Sequence, residues 1–343
     1  MATDLLSADP PVTASTACDV APAAVGQTLG EGLVGHPSRS LVGDEAKSVD
    51  RGNASVLIAD LVQLTKPRIV VMILVTTIAT AMIGAGGLVS SGQLVWLLLA
   101  TAAVAGSAGA ANQIWERVID QRMSRTANRP LAAGRMHLAV ASLFTFVLLA
   151  AGTIALQLKF GPAPAIVGVV TWLLYVVVYT PMKTRTAWNT TVGAVAGALP
   201  VLIGFTALGG ELSGPAGWLL VGVMAAWQYP HFMAIAWMYR RQYAEAGFCM
   251  TTTVEPTGKS AGWQSVVGSL FLIGCAIALC FLPGGWLPGT IAAILATASA
   301  VPMMMASVAF LAEPNDQRAR KLLRSSLLVL PAVLAICTIR LFW

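Results

Sequence analysis

Charge is scarce in this sequence. Only 10% of its 343 residues are charged, while 57% are hydrophobic. A water-soluble domain of that length needs more polar surface to cover its core, so a soluble globular class is excluded. Apolar runs of about 20 residues recur from Arg68 onward, each long enough to cross a bilayer core. They are continuous and do not alternate, which selects helices over a membrane β-barrel. Histidine is nearly absent, with only His36, His137 and His231, and these are too scattered for a metal cluster. The five cysteines show no CxxC or Cys/His spacing and no disulfide framework. The N-terminus lacks a basic start followed by an apolar core, so it is not a secretory signal, and it carries too much acid for a transit peptide. No nucleic-acid partner is expected.

What is present divides into two parts. Residues 1–60 are rich in Ala, Ser, Thr, Gly, Pro and acids, a composition that cannot offset the entropy of ordering, and they read as a disordered polar tail. Residues 61–343 form the membrane domain. Nine spans are expected near 68–87, 93–113, 137–157, 163–180, 189–209, 216–238, 263–283, 287–311 and 321–342. The fold class is therefore all-α and polytopic. Basic residues gather before span one and after spans two, four, six and eight, whereas the opposite loops hold only Lys159, with Arg340 at the far C-terminus. The positive-inside rule then puts the N-terminus in the cytoplasm, the C-terminus outside and the basic loops on the cytoplasmic side.

Acids are scarcer still past the tail, where seven remain. Two of them fall in NQIWERVIDQRMSRTANRPLAAGR (112–135), which also carries five arginines. Asn112, Glu116 and Asp120 are spaced i, i+4, i+8 and would share one face of a continuing helix. Two carboxylates and an amide oxygen are hard ligands suited to Mg²⁺, which fills its shell with phosphate oxygens and water. Arg125 and Arg129 follow, and guanidinium forks bind phosphate bidentately. The plain alternative is a basic loop whose acids pair with its arginines. The next basic loop, YTPMKTRTAWN (179–189), offers Tyr179, Lys183 and Arg185, a set that complements a diphosphate but also suits an interfacial belt. In the third, Pro230 is expected to break span six and bring His231 to the cytoplasmic mouth. Packing is the plain alternative there too. Three polar loops after spans two, four and six point to one shared site.

Several strings combine into a wider pattern: LTKPR (64–68), N-x3-E-x3-D-x2-M-x-R-T-x2-R-P-L from Asn112 to Leu131, YTxxK (179–183), GxxxGxxPxxxG (193–204), WQxPHF (227–232) and YxxAGxxM (243–250). Together they resemble the protoheme IX farnesyltransferase (haem O synthase) family of the UbiA-type intramembrane prenyltransferase superfamily, over roughly residues 60–340. The resemblance implies a nine-helix bundle around a central cavity in a bacterial inner membrane. Farnesyl diphosphate and haem B would be the substrates, Mg²⁺ the cofactor, and a haem A synthase or a terminal oxidase the recipient of the product. It implies that Asn112, Glu116 and Asp120 hold the metal and that Arg125, Arg129, Tyr179, Lys183 and Arg185 hold the diphosphate. His231 would serve at haem contact or in the proton and water step. One position departs from the family pattern: Gln242 stands where an acid usually precedes the tyrosine. The second half-site of Gln242, Tyr243 and Glu245 would then hold a metal more weakly, unless Glu245 compensates from a helix.

Two other functions fit parts of the sequence. A prenyltransferase with a different acceptor, such as a quinone precursor, would use the same loops. A transporter with a charged cytoplasmic gate would need paired broken helices near the midplane, and none is evident.

Overall fold

The computed structural model describes residues 54–282 and 288–342. Among them are helices α1 (Ala54–Leu64), α2 (Pro67–Ala85), α3 (Ser91–Glu116), α4 (Leu138–Phe160) and α5 (Pro162–Leu173). α5 runs on through a π-helical stretch, Leu174–Tyr179, into α6 (Thr180–Met182). The chain continues with α7 (Asn189–Ala198), α8 (Pro200–Ala207), α9 (Pro215–Met238), α10 (Arg240–Glu245) and α11 (Thr251–Val254). It ends with α12 (Lys259–Cys280), α13 (Gly289–Ala312) and α14 (Asp316–Phe342). Nine helical segments of the described residues are long and apolar enough to cross a membrane, as expected from the apolar runs.

Local sequence sets many of the ends. Proline stands in the first turn of α2, α5, α8 and α9, where its missing N–H is no loss. The Ser90 hydroxyl caps α3 by accepting from the Gln93 N–H. α14 begins at Asp316, five residues before the expected span, because the Asn315 side chain accepts the Arg318 N–H at 2.9 Å.

Two expectations about boundaries change. Residues 54–60, assigned to the polar tail, are helical, and Asp60 is buried against Arg135 with an Nη2–Oδ1 distance of 2.9 Å. The rest of the tail lies outside the described residues. Pro230 does not end its span, since α9 runs through it to Met238. The carbonyl of Ala226 that proline leaves unpaired faces Gly268 of α12, whose missing side chain lets the two helices touch at Ala226, Tyr229 and Pro230.

Glycine spacing positions the bundle. A side chain at Gly109 would meet the Thr65 carbonyl at 2.9 Å, so α3 lies tight against the α1–α2 corner. Each glycine of GxxxGxxPxxxG is likewise a point of contact: Gly193 with the Tyr179 ring, Gly197 with the Gln228 amide and Gly204 with the Thr77 carbonyl. Small residues at helix contacts are what membrane packing favours. α9 packs on α12 and α14, α2 on α8 and α3 on α4. Large apolar side chains such as Phe146 and Leu328 point outward, as a lipid-facing surface requires.

Candidate active site

The α1–α2 corner, the end of α3, the α3–α4 loop and the α6–α7 loop meet at one end of the bundle. α3 ends at Glu116, and Asp120 opens a 3₁₀ turn, Asp120–Arg122. The expected helical face through Asn112, Glu116 and Asp120 therefore stops at Glu116. The turn is fixed by Thr126, whose hydroxyl donates to the Asp120 carbonyl at 2.9 Å.

The three oxygens nevertheless stay together, through cations. Lys66 Nζ donates to Asn112 Oδ1, while Asn112 Nδ2 donates to Thr180 Oγ1 at 3.1 Å. Lys183 Nζ donates to Glu116 Oε1 at 2.6 Å and lies 4.7 Å over the Tyr179 ring. Arg129 Nη1 reaches both Asp120 oxygens at 2.8 and 2.7 Å and stands 3.8 Å from Glu116 Oε2. Asn112, Glu116 and Asp120 are all buried. Asn112 and Asp120 thus carry one basic partner each, and Glu116 carries two.

Burial dominates the titration of these groups. It pushes the Asp120 carboxyl up from its ordinary value, with Arg129 pulling the other way. It also pulls the Lys66 ammonium down. Burial acts the same way on Lys183, but there the Glu116 carboxylate together with Tyr179 and Tyr175 outweighs the loss of water, and its pKa rises.

The remaining expected residues divide. Arg125 Nη2 accompanies the Tyr243 hydroxyl at 3.4 Å, and its guanidinium lies 5.1 Å over the Tyr239 ring. Met123 packs with Ala246 and Phe248. The Cys249 N–H donates to the Lys183 carbonyl at 2.7 Å, and Asn189 Nδ2 donates to the Cys249 carbonyl at 2.7 Å. The three polar loops are therefore contiguous, as expected. Gln242 Oε1 is buried without a hydrogen-bond partner among the described residues, and Glu245, although helical, is exposed. The Arg185 side chain is exposed and joins neither carboxylate. His231 lies within α9, stacked on Trp227 at 4.7 Å with Nδ1 3.0 Å from Ser326 Oγ. It touches no member of the cluster.

Sequence reasoning missed Lys66 and Thr180. Lys66 lay in LTKPR, but its partner is 46 positions away. Its backbone carries a signal of its own: φ is +55°, and it is the single non-glycine residue of the described chain in the left-handed region. Strain of this kind gathers at functional sites.

The donors fit a divalent cation. Arg129 already places one cationic group between the two carboxylates, and hard oxygens of this kind suit Mg²⁺. No three His, Cys, Asp or Glu side chains gather among the described residues. A metal here would take its other ligands from water and a phosphate, as Mg²⁺ usually does.

Among the described residues, nine helices long and apolar enough to span a membrane, with a buried acid–base cluster at one end, define the class, a helical-bundle membrane protein. Residues 73–330 match the UbiA prenyltransferase family, and the chain belongs to that family. Relatives narrow this further. The chain is 59% identical to "Protoheme IX farnesyltransferase" of Rhodopirellula baltica over 284 residues, 82% of this chain and 99% of that protein. It is 34% identical to the protein of the same name from Salinibacter ruber over 292 residues, 82% of this chain and 99% of that one. Among solved structures, a UbiA homolog from Archaeoglobus fulgidus bound to GPP and Mg²⁺ superposes with a TM-score of 0.59 at 17% identity, covering 81% of this chain and 99% of that one. A digeranylgeranylglyceryl phosphate synthase superposes with a TM-score of 0.69 at 15% identity, over 83% and 98%.

Proposed function

We propose that this protein transfers a farnesyl group from farnesyl diphosphate to a vinyl group of haem B, with addition of water, to give haem O and diphosphate. The observation that carries the reading is the cluster itself, in which Lys66, Lys183 and Arg129 converge on Asn112, Glu116 and Asp120. The names and near-full coverage of the relatives support the acceptor and the donor. The Archaeoglobus homolog bound to GPP and Mg²⁺ supports a prenyl diphosphate held with a metal on this fold.

Asn112, Glu116 and Asp120 are the residues that would hold Mg²⁺. Bound there, the metal supplies positive charge to the departing diphosphate oxygens. Lys183, Arg125, Arg129 and Arg185 bind the diphosphate, and Tyr179 sets its ring beneath the Lys183 ammonium. Charge that develops on the leaving oxygens is met by groups already in place, which is the largest source of rate in such sites. The allylic carbon–oxygen bond breaks with its electron pair going to the diphosphate. The vinyl π pair then bonds to the farnesyl carbon, and water adds to the benzylic-type carbon and loses one proton. His231 contacts the haem or accepts that proton, and Gln242, Tyr243 and Glu245 form the second half-site, where a metal would be held more weakly. Lys66 orients Asn112. The protein lies in the bacterial inner membrane with its N-terminus and polar loops cytoplasmic, passing its product to a haem A synthase or a terminal oxidase.

The test is to express the chain in cells lacking their own haem O synthase and to analyse extracted haems. Haem O is expected with the wild type and haem B alone with Asp120→Ala at equal protein level. Haem B alone with the wild-type protein in the membrane would remove the assignment and favour another acceptor or a transporter.

A further inference from the structure

Arg340 sits near the end of α14 farthest from the acid–base cluster, and it is only 7% exposed. One amino group donates to the Leu282 carbonyl. Its Nε is buried without a hydrogen-bond partner, and the described residues offer it no ion pair. A charged group at membrane depth with no counter-ion among the described residues is expensive, and where one persists it marks a ligand or a pathway.

Arg340 lines a cavity of about 320 Å³ whose walls include Ile83, Phe205, Leu279 and Leu282. Glu211, in the α8–α9 connection, lines the same cavity. Its carboxylate accepts from the Ser213 hydroxyl at 3.2 Å but forms no ion pair among the described residues. A cation and an anion thus face one apolar space without meeting each other. The volume lies at the lower end for small-molecule sites, enough for a headgroup and the start of its chains. A purely anionic ligand would satisfy Arg340 and set its remaining polar end against Glu211.

We propose that this cavity binds the headgroup of a zwitterionic aminophospholipid, on the membrane face opposite the acid–base cluster. The phosphodiester takes the free donors of Arg340, the primary ammonium pairs with Glu211, and the acyl chains follow the apolar wall into the bilayer. A quaternary ammonium has no N–H for Glu211 and binds less well.

The full chain is reconstituted in nanodiscs of equal phosphatidylethanolamine, phosphatidylglycerol and phosphatidylcholine, and lipids retained on ejection are counted by native mass spectrometry. The wild type is expected to retain one phosphatidylethanolamine at least threefold over either competitor. Arg340→Gln is expected to lose that selective retention. Glu211→Gln, an exposed substitution that keeps the fold, is expected to shift retention towards phosphatidylglycerol. Equal retention of the three lipids by the wild type, preference for phosphatidylglycerol, or an unchanged pattern in Glu211→Gln overturns the proposal.

Discussion

Lys183 and Glu116 form the innermost pair of the cluster, with side chains only 15% and 6% exposed. Two buried ions gain little over an apolar pair, but removal of Lys183 leaves Glu116 with only the longer 3.8 Å contact to Arg129. Lys183→Met should therefore cost about 3 kcal/mol, the scale of a broken buried ion pair. The double variant Lys183→Met/Glu116→Gln should recover most of that loss and remain inactive. Thermal unfolding in detergent and turnover, measured on the same samples, separate the two effects. Recovery of activity in the double variant would mean that the pair serves only the fold. Asp120 is held differently, from a 3₁₀ turn by Arg129. Its departure from the α3 helix was not readable from the i, i+4, i+8 spacing, because the turn depends on Thr126 and on Arg129 reaching back along the loop.

Helical elements bring these residues together through small side chains. Gly193 lies under the Tyr179 ring, where an added Cβ would approach Cε2 to 2.6 Å. Gly193→Ala should displace the tyrosine from beneath Lys183 and lower turnover on the order of tenfold, the scale of a 1.4 kcal/mol loss of positioning. Unchanged kinetics would detach α7 from the site. Glu255 acts at another helix end. It accepts the Ser260 N–H at the start of α12 and the Thr257 N–H, both at 2.9 Å. Its slight burial would raise its pKa, but these bonds lower it below the ordinary glutamate value. A depressed carboxyl stabilises the fold above its unfolded pKa, and that contribution is lost as pH falls through the folded value. Glu255→Gln should therefore destabilise by about 1 kcal/mol at neutral pH, the scale of a helix cap. In acid the gap to the wild type should close, which paired melts at pH 7 and below pH 4.5 would show.

At the scale of the molecule, the spans and the meeting of three polar loops were legible because membrane length and loop charge are local signals. Pro230 was misjudged because the contact that tolerates it lies on α12, at Gly268. Lys66 was overlooked since its partner is on another helix. At one end of the bundle, Lys66, Lys183 and Arg129 rest on the oxygens suited to a metal. Mg²⁺ with an unreactive farnesyl diphosphate analogue should therefore raise the melting temperature. At a hundredfold over the dissociation constant the gain is about 2.7 kcal/mol, roughly 5 °C for a chain of this size. Chelation with EDTA should abolish it. A shift that survives EDTA would argue that the arginines and lysines bind the diphosphate alone.

The left-handed Lys66 has a consequence for how this protein can change. Glycine would adopt φ +55° freely, whereas lysine pays on the order of 1 kcal/mol for it. Lys66→Gly would relieve that strain but leave the buried Asn112 oxygen without its donor, a loss of about 1–3 kcal/mol. Position 66 therefore keeps its strained lysine under selection for stability as well as for activity.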